Sequence, residues 1–251
     1  MNKNLTSLIA LAVMLVSCTP KSEMDRFIDE LMGRMTLEQK IGQLNLHSAP
    51  GFISAERVTE DDENAKLLRQ GLLGGIYGSG NPELLRRCQE IALESGAGIP
   101  LIFGMDVIHG HETVFPVPLA LSTSWNMDLI ERTARIAATE AAATGINWVF
   151  SPMLDIARDA RWGRIVECAG QDPYLAGLYA AAMVRGIQGP DLSDRTHIAA
   201  CLKHYVGYGA AVGGRDYDEV EISLETLHRV YLPPFAAGVA AGAFTVMPGF
   251  H

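Results

Sequence analysis

The chain has 251 residues, 48% of them hydrophobic and 20% charged, which is a globular composition and excludes disordered, collagen-like and disulfide-rich classes. Lys plus Arg is 20 and Asp plus Glu 29, giving a net charge of -9. The lack of a Lys/Arg-rich run to pair with phosphates argues against nucleic acid as a partner, and neutral or cationic ligands fit better than polyanions.

In chain order, the first segment reads as an address. Lys3 supplies a positive start, 8–16 is apolar but too short to span a bilayer, and Leu15-Val16-Ser17-Cys18 has the form of a bacterial lipobox. The expectation is a signal peptide over 1–17, lipidation at Cys18 and a tether over 18–23, placing the domain at 24–251 in the bacterial cell envelope, periplasmic or surface-exposed. The membrane is then a partner only through the lipid anchor. Cys88, Cys168 and Cys201 are three cysteines at irregular spacing, neither a disulfide framework nor a zinc pattern, and Cys88 and Cys201 read as small core residues.

Residues 24–46 predict two helices, the second opened by the capping box Thr36-x-x-Gln39. Residues 50–64 are polar and irregular. Beyond them, five short runs that are apolar on both faces, 72–77, 100–106, 147–151, 197–203 and 244–247, predict buried parallel strands. A further strand overlooked by this pattern would lie near 44–47. Helical patterns over 82–95, 126–144, 174–188 and 224–241 separate the runs. Asp128 and Glu131 sit in the first turn of the 126–144 helix, and Gly145 suits its C-terminal end.

This alternation means an α/β fold with a parallel sheet, either doubly wound or a (β/α) barrel of TIM type. No G-x-G-x-x-G follows a strand, and the glycines of 71–80 lack a phosphate-loop ending. Polar residues cluster directly after the strands, where a barrel places its chemistry, so the barrel is preferred. Five strands against the barrel's eight predict an incomplete barrel, the front part of a longer protein.

Three strand ends carry chemistry. Asp106 ends the second predicted strand, and His109-x-His111 follows with a spacing that also occurs in metal sites, against the alternative of hydrogen-bonded loop histidines. Between Asp155 and Glu167 lie Arg158, Asp159, Arg161, Trp162 and Arg164. This segment is either a salt-bridged rim or a loop in which an arginine forks onto vicinal hydroxyls and Trp162 offers an apolar face to a ring. Lys203 emerges from an apolar run together with His204. A buried lysine needs a partner, and Asp106 at the same rim is the candidate. Met247 ends the last strand, a position that more often packs than recognises.

Together these segments resemble the N-terminal barrel of glycoside hydrolase family 3, β-glucosidase type. The resemblance rests on the stretch from Met35 to Leu44, on Gly104-Met105-Asp106-Val107-Ile108-His109-Gly110, and on Phe150-Ser151-Pro152 with 158–164. It rests further on Cys201-Leu202-Lys203-His204-Tyr205 and Val246-Met247-Pro248. It implies that Asp106, Arg164, Lys203 and His204 hold hydroxyls of the terminal sugar, that Met247 lines the pocket, and that catalysis needs no metal or cofactor. The implied activity is exo-acting retaining hydrolysis of terminal β-D-glucosyl residues. Gln171 stands where the family commonly has Glu, and Cys168 where it commonly has Gly. The family's nucleophile lies in a Ser-Asp-Trp-like segment, which does not occur here, and its acid/base Glu lies further on. The expectation is therefore a sugar-binding half-site without its own catalytic carboxylates, with Asp155 and Glu167 the first to test otherwise. The alternatives are a β-xylosidase of the same family, a metal-dependent barrel hydrolase using His109 and His111, and a non-catalytic glycan-binding lipoprotein.

Overall fold

A computed structural model describes residues 21–49 and 63–251. The expected signal peptide over 1–17, the expected lipidation at Cys18 and nearly all of the irregular 50–64 stretch lie outside the described residues.

Two helices open the described chain, α1 (Glu23–Arg34) and α2 (Leu37–Gly42). Ser22 and Thr36 each form the capping box that starts one of them, with Asp25 and Gln39 reaching back to the cap. There follow β1 (Leu46–Ser48), α3 (Glu63–Gln70), β2 (Gly75–Tyr77), α4 (Pro82–Glu94), β3 (Ile102–Met105), α5 (Pro118–Ser122), α6 (Met127–Ala143), β4 (Trp148–Val149), α7 (Pro173–Gln188), β5 (Ala199–Tyr205), α8 (Leu232–Ala240) and β6 (Thr245–Pro248). The six strands are all parallel and stand in sequence order from β1 to β6. A doubly wound sheet reverses direction at a switch point; this one never does, so it is an arc of a (β/α) barrel with β1 and β6 as its edges.

The predicted strands and helices recur with their ends moved by a few residues, and three differences have local causes. Leu46-His47-Ser48 mixes polar and apolar residues, because only His47 of the three is partly covered; it lacks the apolar run expected of a buried strand. The single helix expected over 224–241 is interrupted. Pro233 and Pro234 have no N–H to donate back, and the preceding turn widens to a π-helical one over Leu227–Tyr231, where Leu232 N–H reaches Leu227 O. Helix α3 lies where 50–64 ends, and buries only Ala65 and Leu68.

The main core lies between sheet and helices. Ile76, Phe103, Val149, Ala200 and Leu202 of the strands meet Leu84 and Ile91 of α4, Ile130 and Ala138 of α6, and Tyr179 and Val184 of α7. Helices α6 and α7 pack closely because Gly186 has no side chain: a Cβ there would stand 2.3 Å from Glu131 O. A second, smaller cluster sits beyond the strand ends and consists of Met153, Ala157, Trp162, Cys168 and Tyr208. Among the described residues no helix is long and apolar enough to cross a membrane, and Cys88, Cys168 and Cys201 are buried and form no disulfide.

Candidate functional site

Alternation along the strands decides which side chains face the inside of the arc. In β3, Phe103 joins the helix-facing core, so Ile102 and Gly104 face inward, and Asp106 continues that row one residue past the strand. In β5, Ala200 and Leu202 face the helices, which leaves Cys201 and Lys203 for the interior. Lys203 Nζ passes the intervening β4 and donates to Asp106 Oδ1 at 2.5 Å. The partner that a buried lysine required is the one expected.

His204 should point the opposite way from Lys203, yet both are buried. The register explains this. Leu202 pairs with Val246 and Tyr205 with Pro248, so Lys203 and His204 together oppose Met247 alone. This is a β-bulge, which re-aims side chains at a strand end. Met247 is half-buried directly across from the pair.

The chain after β4 stays beside β5. Lys203 N–H donates to Pro152 O at 3.2 Å, and Leu154 N–H to Lys203 O at 2.6 Å. That places Asp155 against His204. Asp155 Oδ2 accepts the His204 backbone N–H at 3.0 Å and lies 2.8 Å from Nδ1; both side chains are withdrawn from solvent. Arg164 directs Nε and Nη2 at Glu167, at 2.7 and 2.8 Å, in a forked pair. Its Nη1 lies 3.5 Å from His204 Nε2, and the guanidinium sits 5.8 Å over the Tyr208 ring. The Glu167 hydrogen bonds, against the opposing effect of burial, hold the Arg164 guanidinium above its ordinary pKa.

The structure thus joins Asp106 to Lys203 and Arg164 to His204, and the adjacency of Lys203 and His204 on one bulge links the two pairs. Asp106 and Arg164 are the members that reach solvent. Asp155 and Glu167, the carboxylates that might have served catalysis from within this chain, are both engaged, one on His204 and one on Arg164.

Trp162 does not face a ring-binding surface. It is buried in the second cluster, edge-on to Tyr208, and its Nε1 donates to Asp216 at 2.9 Å. Tyr208 Oη donates to the same carboxylate oxygen. Burial, then the Asp216 bond, pushes the Tyr208 hydroxyl up to about 12. Burial raises Asp216, but the hydrogen bonds from Tyr208 and Trp162 outweigh it and leave the carboxyl below its ordinary value. Asp159 pairs with Arg161 and is lowered to about 2. The 155–167 segment therefore forms the salt-bridged rim of the first alternative, with Asp159 on Arg161 and Arg164 forked onto Glu167. His109 and His111 turn to separate partners, Phe115 O and Thr144 Oγ1, each at 3.1 Å. Among the described residues no group of three His, Cys, Asp or Glu side chains could hold a metal ion. Asp216 carries no signal in sequence, and Asp155, expected only as a candidate catalyst, is instead the partner of His204, 49 residues further along the chain.

Residues 36–251 match the model of the glycosyl hydrolase family 3 N-terminal domain. The chain is 37% identical to a periplasmic β-glucosidase of Salmonella typhimurium over 91% of its own length and 29% of the relative's. It is 33% identical to a β-xylosidase of Formosa agariphila, over 90% of its own length and 27% of that protein. A β-glucosidase of Listeria innocua, solved with isofagomine, superposes with a TM-score of 0.82 at 38% identity, covering 92% of this chain and 32% of that one. The chain thus spans about three tenths of the length of these relatives.

Proposed function

Because the chain belongs to glycosyl hydrolase family 3 through its N-terminal domain, we propose that it forms the sugar-binding part of an exo-acting, retaining β-glucosidase. Asp106, Arg164, Lys203 and His204 form the subsite for the terminal non-reducing glucosyl residue: Asp106 and Arg164 meet its hydroxyls, Lys203 and His204 stand behind them as their partners, and Met247 lines the pocket. The carrying observation is the joined set at the ends of β3 and β5, in which a carboxylate and a guanidinium, both partly open to solvent, supply acceptors and donors to a neutral polyol. Such contacts strengthen as the ring gains oxocarbenium character.

Retaining hydrolysis takes two carboxylates about 5 Å apart, one attacking and one protonating. Asp155 and Glu167 are held by His204 and Arg164. The nucleophile and the acid/base are accordingly assigned to residues outside this chain. No cofactor or metal enters the reaction. The Salmonella relative is named as periplasmic. Together with the 1–17 signal peptide and the Cys18 lipobox, this supports a lipid-anchored protein of the bacterial cell envelope.

The test is hydrolysis of p-nitrophenyl β-D-glucoside by the complete gene product, with NMR of the first-formed anomer. Release of β-glucose supports the reading; release of α-glucose or no turnover overturns it. The Formosa relative favours one second reading, a β-xylosidase. A higher kcat/KM on the β-xyloside than on the β-glucoside would establish that instead. Glucose binding without turnover by the complete product would identify a glycan-binding lipoprotein.

A further inference from the structure

Asp155 is the most deeply buried carboxylate near the site, and the reading above gives it no task. Its Oδ2 accepts the His204 backbone N–H and faces Nδ1, while its Oδ1 has no hydrogen-bond partner among the described residues. A carboxylate oxygen accepts, so the proton between Oδ2 and the ring belongs on Nδ1. At the far side of the ring, Nε2 meets Arg164 Nη1. A guanidinium only donates, so Nε2 carries a lone pair there. Tyr208 and Phe250 fix the ring plane, with centroids 5.1 and 5.0 Å away. Arg164 then has all three nitrogens engaged, two by Glu167 and one by His204.

We propose that Asp155 is a positioning residue: it fixes His204 as the neutral Nδ1–H tautomer, so that Nε2 accepts from Arg164 and sets the plane of the guanidinium toward the ligand. The arrangement is a relay of orientation, Asp155 to His204 to Arg164, with Glu167 closing the other side. The part concerning the ligand rests on the sugar-binding reading. The tautomer does not, and the two fail separately.

The decisive measurement is the long-range ¹H–¹⁵N spectrum of ¹⁵N-histidine-labelled protein at neutral pH, with the His204 signal assigned by its loss in His204→Gln. An Nδ1–H pattern is expected. An Nε2–H pattern, or a doubly protonated ring, in the otherwise unaltered protein overturns the proposal. Asp155→Asn keeps an acceptor and should retain the Nδ1–H pattern, whereas Asp155→Leu should lose it. In the complete gene product Asp155→Leu should raise KM for the aryl glucoside about tenfold, as when one charged hydrogen bond is misaligned, and Asp155→Asn should recover most of this. An unchanged tautomer in Asp155→Leu overturns the proposal. An altered tautomer with unchanged KM retains the tautomer lock and removes the sugar-binding role of Arg164.

Discussion

Lys203 and Asp106 share a 2.5 Å ion pair in which the lysine is 2% exposed and the aspartate 63%. The two partners are therefore not equivalent. The cation has left water and depends on its partner, while the anion keeps much of its hydration and can also meet a ligand.

Asp106→Ala should strand a buried charge, with a cost of about 3 kcal/mol in stability. Lys203→Met, which removes the charge itself, should cost much less, because the freed carboxylate is already solvated. Chemical denaturation of both variants checks the order. In the complete gene product Asp106→Ala should also lower kcat/KM on aryl glucosides about 10²-fold or more. Turnover like that of the wild type would remove Asp106 from the site.

Arg164 and Glu167 should be coupled. Each is about one-quarter exposed or less and the pair is forked, so it lies between a surface bridge and a buried one. A double-mutant cycle with Arg164→Met and Glu167→Gln should return about 1–2 kcal/mol. A value within error of zero would mean that Glu167 does not orient the guanidinium.

Asp216 supplies a pH dependence. Its carboxyl is held below the ordinary value by bonds from Tyr208 and Trp162 that outweigh burial. A group lowered in the folded state adds stability above its unfolded pKa, about 3.9 for Asp, and loses it as pH falls through the folded value. Because Asp216 itself is exposed and partly screened by solvent, Asp216→Asn should cost no more than about 0.5 kcal/mol at pH 7, and the difference from wild type should shrink below about pH 3.9. Denaturation followed by tryptophan fluorescence at both pH values measures it.

Gly186→Ala sets two effects against each other. Alanine is the better helix former by about 1 kcal/mol. Its methyl would stand 2.3 Å from Glu131 O and 2.6 Å from Ala134 Cβ. Backbone cannot yield as a side-chain tip can, so overpacking should win, with a net loss of about 1–3 kcal/mol. A raised melting temperature would contradict the close approach of α6 and α7.

Much of this was legible in sequence where one local signal sufficed. Buried parallel strands such as 197–203 announce themselves as apolar runs, and a lysine inside such a run demands a partner. Leu46-His47-Ser48 carried no such signal, because the partly exposed edge of a sheet does not require apolar residues on both faces. The role of Trp162 was ambiguous for another reason: an indole between charges can serve a ligand or a core, and only the arrival of Tyr208 and Asp216 from beyond β5 decides for the core. The pairing of Asp155 with His204 depends on the bulge opposite Met247, and a bulge is a property of two strands that neither displays alone.

The small cluster of Met153, Ala157, Trp162, Cys168 and Tyr208 stands apart from the main core. Leu154 and Ile156, which belong to the main core, tie that layer to the sheet, so amide protons of the second cluster that lack such ties, as in 157–168, should exchange sooner than those of β5. A sugar bound as proposed, at Asp106, Arg164, Lys203 and His204, should slow exchange at the ends of β3 and β5 first.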